Sequence, residues 1–162
     1  MSKKFSVSYD IPADVETTFA AISSDGWATA KAAKLKDGSE VVTREESGGG
    51  VTLVVSRKLP DGIPGFLQKF LPADGRVKQT DTWKAAKDGV RAGTWVADTP
   101  GSPVKVGGVM RLEPAGSGCT YVIEGEIKAS IPLIGGKAED VAVGMTKKLT
   151  SSEADVLRGM VS

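Results

Sequence analysis

Histidine is absent from this 162-residue chain, and cysteine occurs once, at Cys119. Without histidine there is no imidazole base, no usual zinc ligand and no Ser-His or Cys-His nucleophile pair, so most hydrolase and metalloenzyme chemistry lacks its customary parts. A single cysteine forms no intramolecular disulfide, which fits a reducing compartment. With no neighbouring His or Lys pattern to activate it, Cys119 reads as a small strand residue. An excess of one charge is missing too. Lys and Arg total 21 against 20 for Asp and Glu, which offers nothing to a phosphate backbone, and nucleic acid is not expected as a partner. No run approaches the ~18 apolar residues of a transmembrane segment. The first ten residues alternate polar and apolar where a signal peptide needs a continuous apolar core. A cytoplasmic protein is the expectation.

No metal or cofactor is expected either. The carboxylate pairs Glu45-Glu46, Glu124/Glu126 and Glu139-Asp140 have no recognised metal spacing and read as solvated faces. The glycines at 48–50 lack the following Lys-Ser/Thr of a phosphate loop and read as a hairpin turn. What remains, at 40% hydrophobic residues, suits one domain over 1–162 that buries roughly 70% of its unfolded surface.

Phe5, Val7 and Tyr9 alternate with polar residues and predict a first strand. A helix is expected from Pro12, with Val15, Phe19 and Ile22 on one face and Asp25-Gly26 as its stop. The Ala- and Lys-rich 27–34 predicts a second short helix. Strands are then expected over 39–47, 50–58, 76–86, 90–98, 104–113 and 119–129, separated by glycine-containing turns. A final helix over 135–160 places Ala138, Val141, Met145, Leu149, Val156 and Met160 near one stripe, and Thr150-Ser151-Ser152 interrupts its propensity without ending it. The connection 59–75 is too long for a hairpin. Within it Ile63, Phe66, Leu67, Phe70 and Leu71 fall at helical spacing, which predicts a short amphipathic helix.

This order, carried by Tyr9-Asp10-Ile11-Pro12-Ala13-Asp14 with Phe19 behind it and by Ile131-Pro132-Leu133-Ile134-Gly135-Gly136-Lys137-Ala138-Glu139, resembles the START/Bet v 1-like superfamily, also called SRPBCC or helix-grip proteins. Within it the chain looks like an actinobacterial branch classed as a domain of unknown function. The resemblance covers nearly the whole length and implies an α+β fold, in which a curved seven-stranded antiparallel sheet grips the C-terminal helix around an apolar cavity. It also implies a lipid-like or polyketide-like ligand, although fold alone does not choose among the superfamily's carriers, cyclases and co-chaperones.

In a meander the connections after the third, fifth and seventh strands share one end of the sheet. Residues 59–75, 98–103 and 130–136 therefore meet at a candidate mouth, which offers Ile63, Phe66, Phe70, Ile131 and Leu133 to a ligand or simply caps the core. A membrane-touching surface is a third reading, weakened by the single lysine in the stretch. On the seventh strand Tyr121, Ile123 and Ile127 should face the interior, as should Met145 on the helix. On the fourth, Val77, Gln79, Asp81 and Trp83 share a face; if it is the inner one, Arg44, opposite Leu53, could reach Asp81, and otherwise Thr80 and Thr82 point inward. On the sixth, Gly107-Gly108 could introduce a bulge. Trp83 and Trp95 either bracket a ligand or fill the core. Binding of a small hydrophobic molecule without catalysis is the leading expectation. The alternatives are a cyclase/aromatase-like enzyme using Asp81, Arg44 and Tyr121, and a protein-interaction module with a collapsed cavity, its partner unknown.

Overall fold

The alternation of Phe5, Val7 and Tyr9 becomes β1 (Lys3–Ile11), the edge strand of a seven-stranded sheet. The structure, a computed structural model, describes residues 2–162. After β1 come α1 (Val15–Ile22), α2 (Asp25–Leu35), β2 (Glu40–Ser47), β3 (Gly50–Lys58), a 3-10 helix (Gly65–Phe70), β4 (Arg76–Trp83), β5 (Arg91–Asp98), β6 (Val104–Ala115), β7 (Gly118–Ala129) and α3 (Gly135–Val161). All neighbouring strands are antiparallel, in the order β1-β7-β6-β5-β4-β3-β2. With α3 packed on β1 and β7, this is the helix-grip arrangement.

Several local expectations are corrected. Helix α1 begins at Val15 rather than Pro12, because Asp14 is its N-cap: the backbone there is extended and Oδ1 accepts from Thr17 N at 2.7 Å. Asp25-Gly26 does not stop that helix but opens the next one. The break lies at Ser23-Ser24, whose hydroxyls donate to Phe19 O at 2.6 Å and Ala21 O at 2.7 Å and so satisfy carbonyls at the helix end. Strand β4 stops at Trp83, three residues short of the expected end. The amphipathic stretch forms a 3-10 rather than an α-helix, held between Pro64 and Pro72. No bulge occurs at Gly107-Gly108, since the β6–β7 register is unbroken from Val104 to Ala115; the irregularity is in β2, between Val41 and Thr43. Glu139 is not on a solvated face. It is buried, and its Oε2 accepts from Ala129 N at 2.9 Å, tying the first turns of α3 to the end of β7.

One row crosses the entire sheet. Arg44, Leu53, Asp81, Trp95, Gly108, Gly125 and Phe5 are consecutive cross-strand partners from β2 to β1. Having no side chain, Gly125 leaves a gap into which the Trp95 indole and the Phe5 ring lean, with centroids 6.2 Å apart. The indole Nε1 donates to Glu124 O at 3.3 Å. A Cβ on Gly125 would lie 2.5 Å from the Phe5 ring and 2.7 Å from the Trp95 ring, so this site needs glycine for close approach rather than for a turn.

Gly125→Ala should therefore lower stability by about 1–3 kcal/mol, the usual range for overpacking. The check is urea denaturation, with a reduced midpoint at unchanged slope. An unshifted midpoint would show that the two rings yield freely.

Candidate functional site

A single helix cannot fill the concavity of seven strands, and its attachments decide where space is left. Toward its N-terminus α3 is fixed by Ala138 and Glu139, which are buried at the end of β7. Toward its C-terminus the Thr150 hydroxyl shares a 2.8 Å hydrogen bond with Tyr9 Oη, Glu153 pairs with Lys31 at 3.0 Å, and Val156 and Leu157 join the main core with α1 and α2. Between these attachments Val141, Ala142, Met145 and Leu149 are only half-buried. They form the roof of an internal cavity of about 150 Å3.

Trp95, Ala97, Val106, Met110, Tyr121 and Ile123 make its floor, and Leu59, Ile63, Leu67 and Phe70 close one end together with Thr99 and Ser102. The connections after β3, β5 and β7 do meet there. Leu67 packs with Ala129, Ile131 and Ala138 in a second apolar cluster, distinct from the main core. Polar side chains on the wall include Arg57, Gln79, Tyr121, Thr150 and Glu153, besides the hydroxyls of Thr99, Ser102 and Thr146.

Of the residues singled out from the sequence, Ile63, Phe70, Gln79, Tyr121, Ile123 and Met145 stand on this wall. The others lie elsewhere. Phe66 is off the wall, with Lys137 Nζ 4.7 Å above its ring. Trp83 is sealed in the core, edge-on to Phe19 at 5.9 Å, so the two tryptophans do not bracket a space. Ile127 is fully buried, Ile131 belongs to the cluster at the mouth, and Leu133 is fully exposed at φ 70°.

Asp81 faces inward with Gln79, so Thr80 and Thr82 take the opposite face. It is buried just behind the wall. The expected register with Leu53 and Arg44 is present, but the Arg44 contact is not. Arg44 sits two strands away, roughly 10 Å by sheet spacing, and its Nε donates to Ser23 O at 2.6 Å while its other end pairs with exposed Glu46. Asp81 Oδ1 instead accepts from Gln79 Nε2 at 3.0 Å. Burial raises the Asp81 pKa to about 6 despite that hydrogen bond and the nearby Lys31 and Arg57. Burial likewise drives the Tyr121 hydroxyl well above its ordinary value, with Asp81 and Glu153 adding to the effect. Tyr121 is thus a neutral hydrogen-bonding group.

Lys31, Glu153 and Arg57 escaped the sequence reading. Lys31 lies four residues after Trp27 and four before Leu35, on the apolar stripe of α2, and a lysine so placed signals a buried partner. Glu153 carries the same signal on α3, between Thr150 and Val156. Arg57 was legible as an inward position by its alternation with Leu53 and Val55. At the opposite end of the molecule a shallow depression runs past Glu16, Arg44, Gly48 and Arg91. Its buried arginine makes four hydrogen bonds: Arg91 forks onto Glu16 at 2.8 Å through both Nε and Nη2, and Nη1 donates to Gly49 O at 2.6 Å and Lys84 O at 3.0 Å. Among the described residues no three of His, Cys, Asp and Glu converge where they could hold a metal ion, and no helix is long and apolar enough to cross a membrane.

Comparison with known proteins places this geometry in a wider set. The model of the family described as "Protein of unknown function (DUF2505)" matches residues 6–161. No curated protein matches the chain. Among solved structures, TTHA0849 from Thermus thermophilus is similar at TM-score 0.65 and 16% identity, with 98% of this chain and 97% of that one covered. Norcoclaurine synthase from Thalictrum flavum, in complex with dopamine and hydroxybenzaldehyde, is similar at TM-score 0.65 and 13% identity, covering 99% and 87%. Ara h 8.0201 is similar at TM-score 0.62 and 16% identity, covering 99% and 98%. At such identities the likeness is one of fold, and it is the Bet v 1-like fold.

The buried carboxyl makes a testable statement about pH. Its folded pKa of about 6 lies above the ordinary 3.8, so the protonated group's contribution is fully present below about pH 4 and is lost as the pH rises through 6. Asp81→Asn copies the protonated form. Relative to the parent chain, the variant should gain about 3 kcal/mol of stability between pH 4 and pH 8, read from urea unfolding at both pH values. The same difference at both would show that Asp81 ionises without penalty.

Proposed function

The chain belongs to the DUF2505 family, and within that frame we propose that it binds a small hydrophobic molecule in the cavity beneath α3 without catalysing its conversion. The observation that carries this is the cavity's make-up: a mostly apolar floor and roof, a few polar groups on the wall, and an end where three connections meet rather than the sheet. Small-molecule sites commonly have that composition. Size narrows the ligand class. A cavity of about 150 Å3 is comparable to one that accepts benzene, so in this state the pocket suits one or two rings or a short chain. A lipid or polyketide would need residues 59–75 to move aside. That segment is held by a few apolar contacts and a six-residue 3-10 helix, as suits a part that opens at low cost. The small aromatic compounds in the norcoclaurine synthase complex agree with that size.

A cyclase-like reading has less behind it. Asp81 lies off the wall and is covered by Gln79, Arg44 is elsewhere, and Tyr121 is held neutral. Asp81, Arg44 and Tyr121 thus form no positioned pair that would give and take a proton on a bound molecule.

Filling the roof tests the proposal. Ala142→Leu adds apolar atoms at a helical position facing the cavity, without changing charge or helix propensity appreciably. Binding of 1-naphthol, followed by its fluorescence, should weaken about tenfold or more, while urea stability changes by less than about 1.5 kcal/mol. Unchanged naphthol affinity would mean that the compound binds outside this cavity or not at all.

A further inference from the structure

Arg57 is 6% exposed and lies on the cavity wall, at the last inward-facing position of β3 before the chain enters 59–75. Among the described residues its guanidinium is paired with no carboxylate. Its Nη2 donates to Gln79 Oε1 at 3.3 Å, and its buried Nε has no hydrogen-bond partner. Arg91, buried to the same degree, shows what this chain normally provides for such a group: a bidentate carboxylate and two carbonyls. The other cation near the cavity, Lys31, is neutralised by Glu153. Asp81 meets Arg57 only through the Gln79 amide, which accepts from one and donates to the other. That amide orients the guanidinium and leaves it short of a counter-ion. A buried guanidinium without a partner is costly; its planar fork matches a carboxylate or a phosphate, and the apolar wall around it favours the singly charged carboxylate.

We infer that Arg57 is a carboxylate-recognising group, and that the ligand is an apolar acid whose carboxylate rests on Arg57 beside the mouth while its ring or chain extends beneath α3 between Trp95, Met110 and Met145. This rests on the binding proposal above and narrows it to one chemical class. Gln79 is the positioning residue, and the apolar body gains the burial that any neutral ligand would gain.

The test compares 1-naphthoate with 1-naphthamide, which share a ring system and differ in charge, by isothermal titration calorimetry on the full chain. The parent protein should bind the acid about tenfold or more tightly than the amide, as one charge-assisted pair provides. Arg57→Gln should remove that preference, with naphthoate losing about tenfold more affinity than naphthamide. Arg57→Lys, which keeps the charge but loses the fork, should retain only part of the preference and serves if the glutamine variant fails to fold. Equal affinities in the parent protein, or an acid preference that survives both substitutions, would overturn the assignment. If the amide binds and the acid does not, the cavity reading stands and the carboxylate assignment fails. If neither compound binds, both fail.

Discussion

The interior of this protein depends on how α3 is fastened. Polar contacts hold it at Glu139, where a carboxylate accepts from Ala129 N, and again at Thr150 and Glu153, where Tyr9 and Lys31 reach it. Some 16 Å of helix lies between Glu139 and Thr150, spanning the concave face with apolar side chains that do not reach the floor. Were the middle fastened too, the curved sheet would have to flatten or the helix to bend. Instead the mismatch between a curved sheet and a straight helix persists as a cavity. Beside the floor a complementary device operates: Gly125 on β7 lets the Trp95 and Phe5 rings close over the sheet.

Charge is distributed unevenly over this frame. At the end carrying Arg91 four of the five donors of the buried guanidinium are used, and the arginine also stacks 3.7 Å from the Phe19 ring, which makes it a structural clasp between α1 and the neighbouring turns. At the mouth, Arg57 has an amide where Arg91 has a carboxylate. Lys31 and Glu153 form a closed pair shielded by Trp27, whose ring lies 5.0 Å from Lys31 Nζ. Asp81 holds its proton more tightly because burial penalises its charged form, despite Gln79 and the nearby Lys31 and Arg57. One fold thus contains two solutions to burying arginine, and the incomplete one is the one that faces the cavity.

Much of this was legible from residue order. Alternation located all seven strands to within three residues at their ends, and the parity of a meander brought 59–75, 98–103 and 130–136 to one end. What periodicity could not settle was long-range. Gln79 and Tyr121 could be placed on the inner face, but whether an inner-face residue borders space or solid core depends on what the helix leaves uncovered. Ile127 and Trp83 share faces with wall residues and yet are sealed. Arg44 had the right register and the wrong reach, because a long side chain on a sheet flank found a nearer acceptor at Ser23. Glu139 and Glu153 were hidden by the ordinary rule that carboxylates face water; only their positions on apolar stripes ran against it.

The central claim is that molecules enter the space between the sheet floor around Trp95 and the middle of α3, and the methionines report on it directly. Met110 and Met145 border the cavity, whereas Met160 packs against the main core near Gly26. In a methyl-labelled sample titrated with 1-naphthol, the account predicts that the Met110 and Met145 methyl resonances shift and show nuclear Overhauser contacts to the ring protons, while Met160 stays unchanged. Shifts confined to Met160, or none at a concentration that saturates binding, would contradict it.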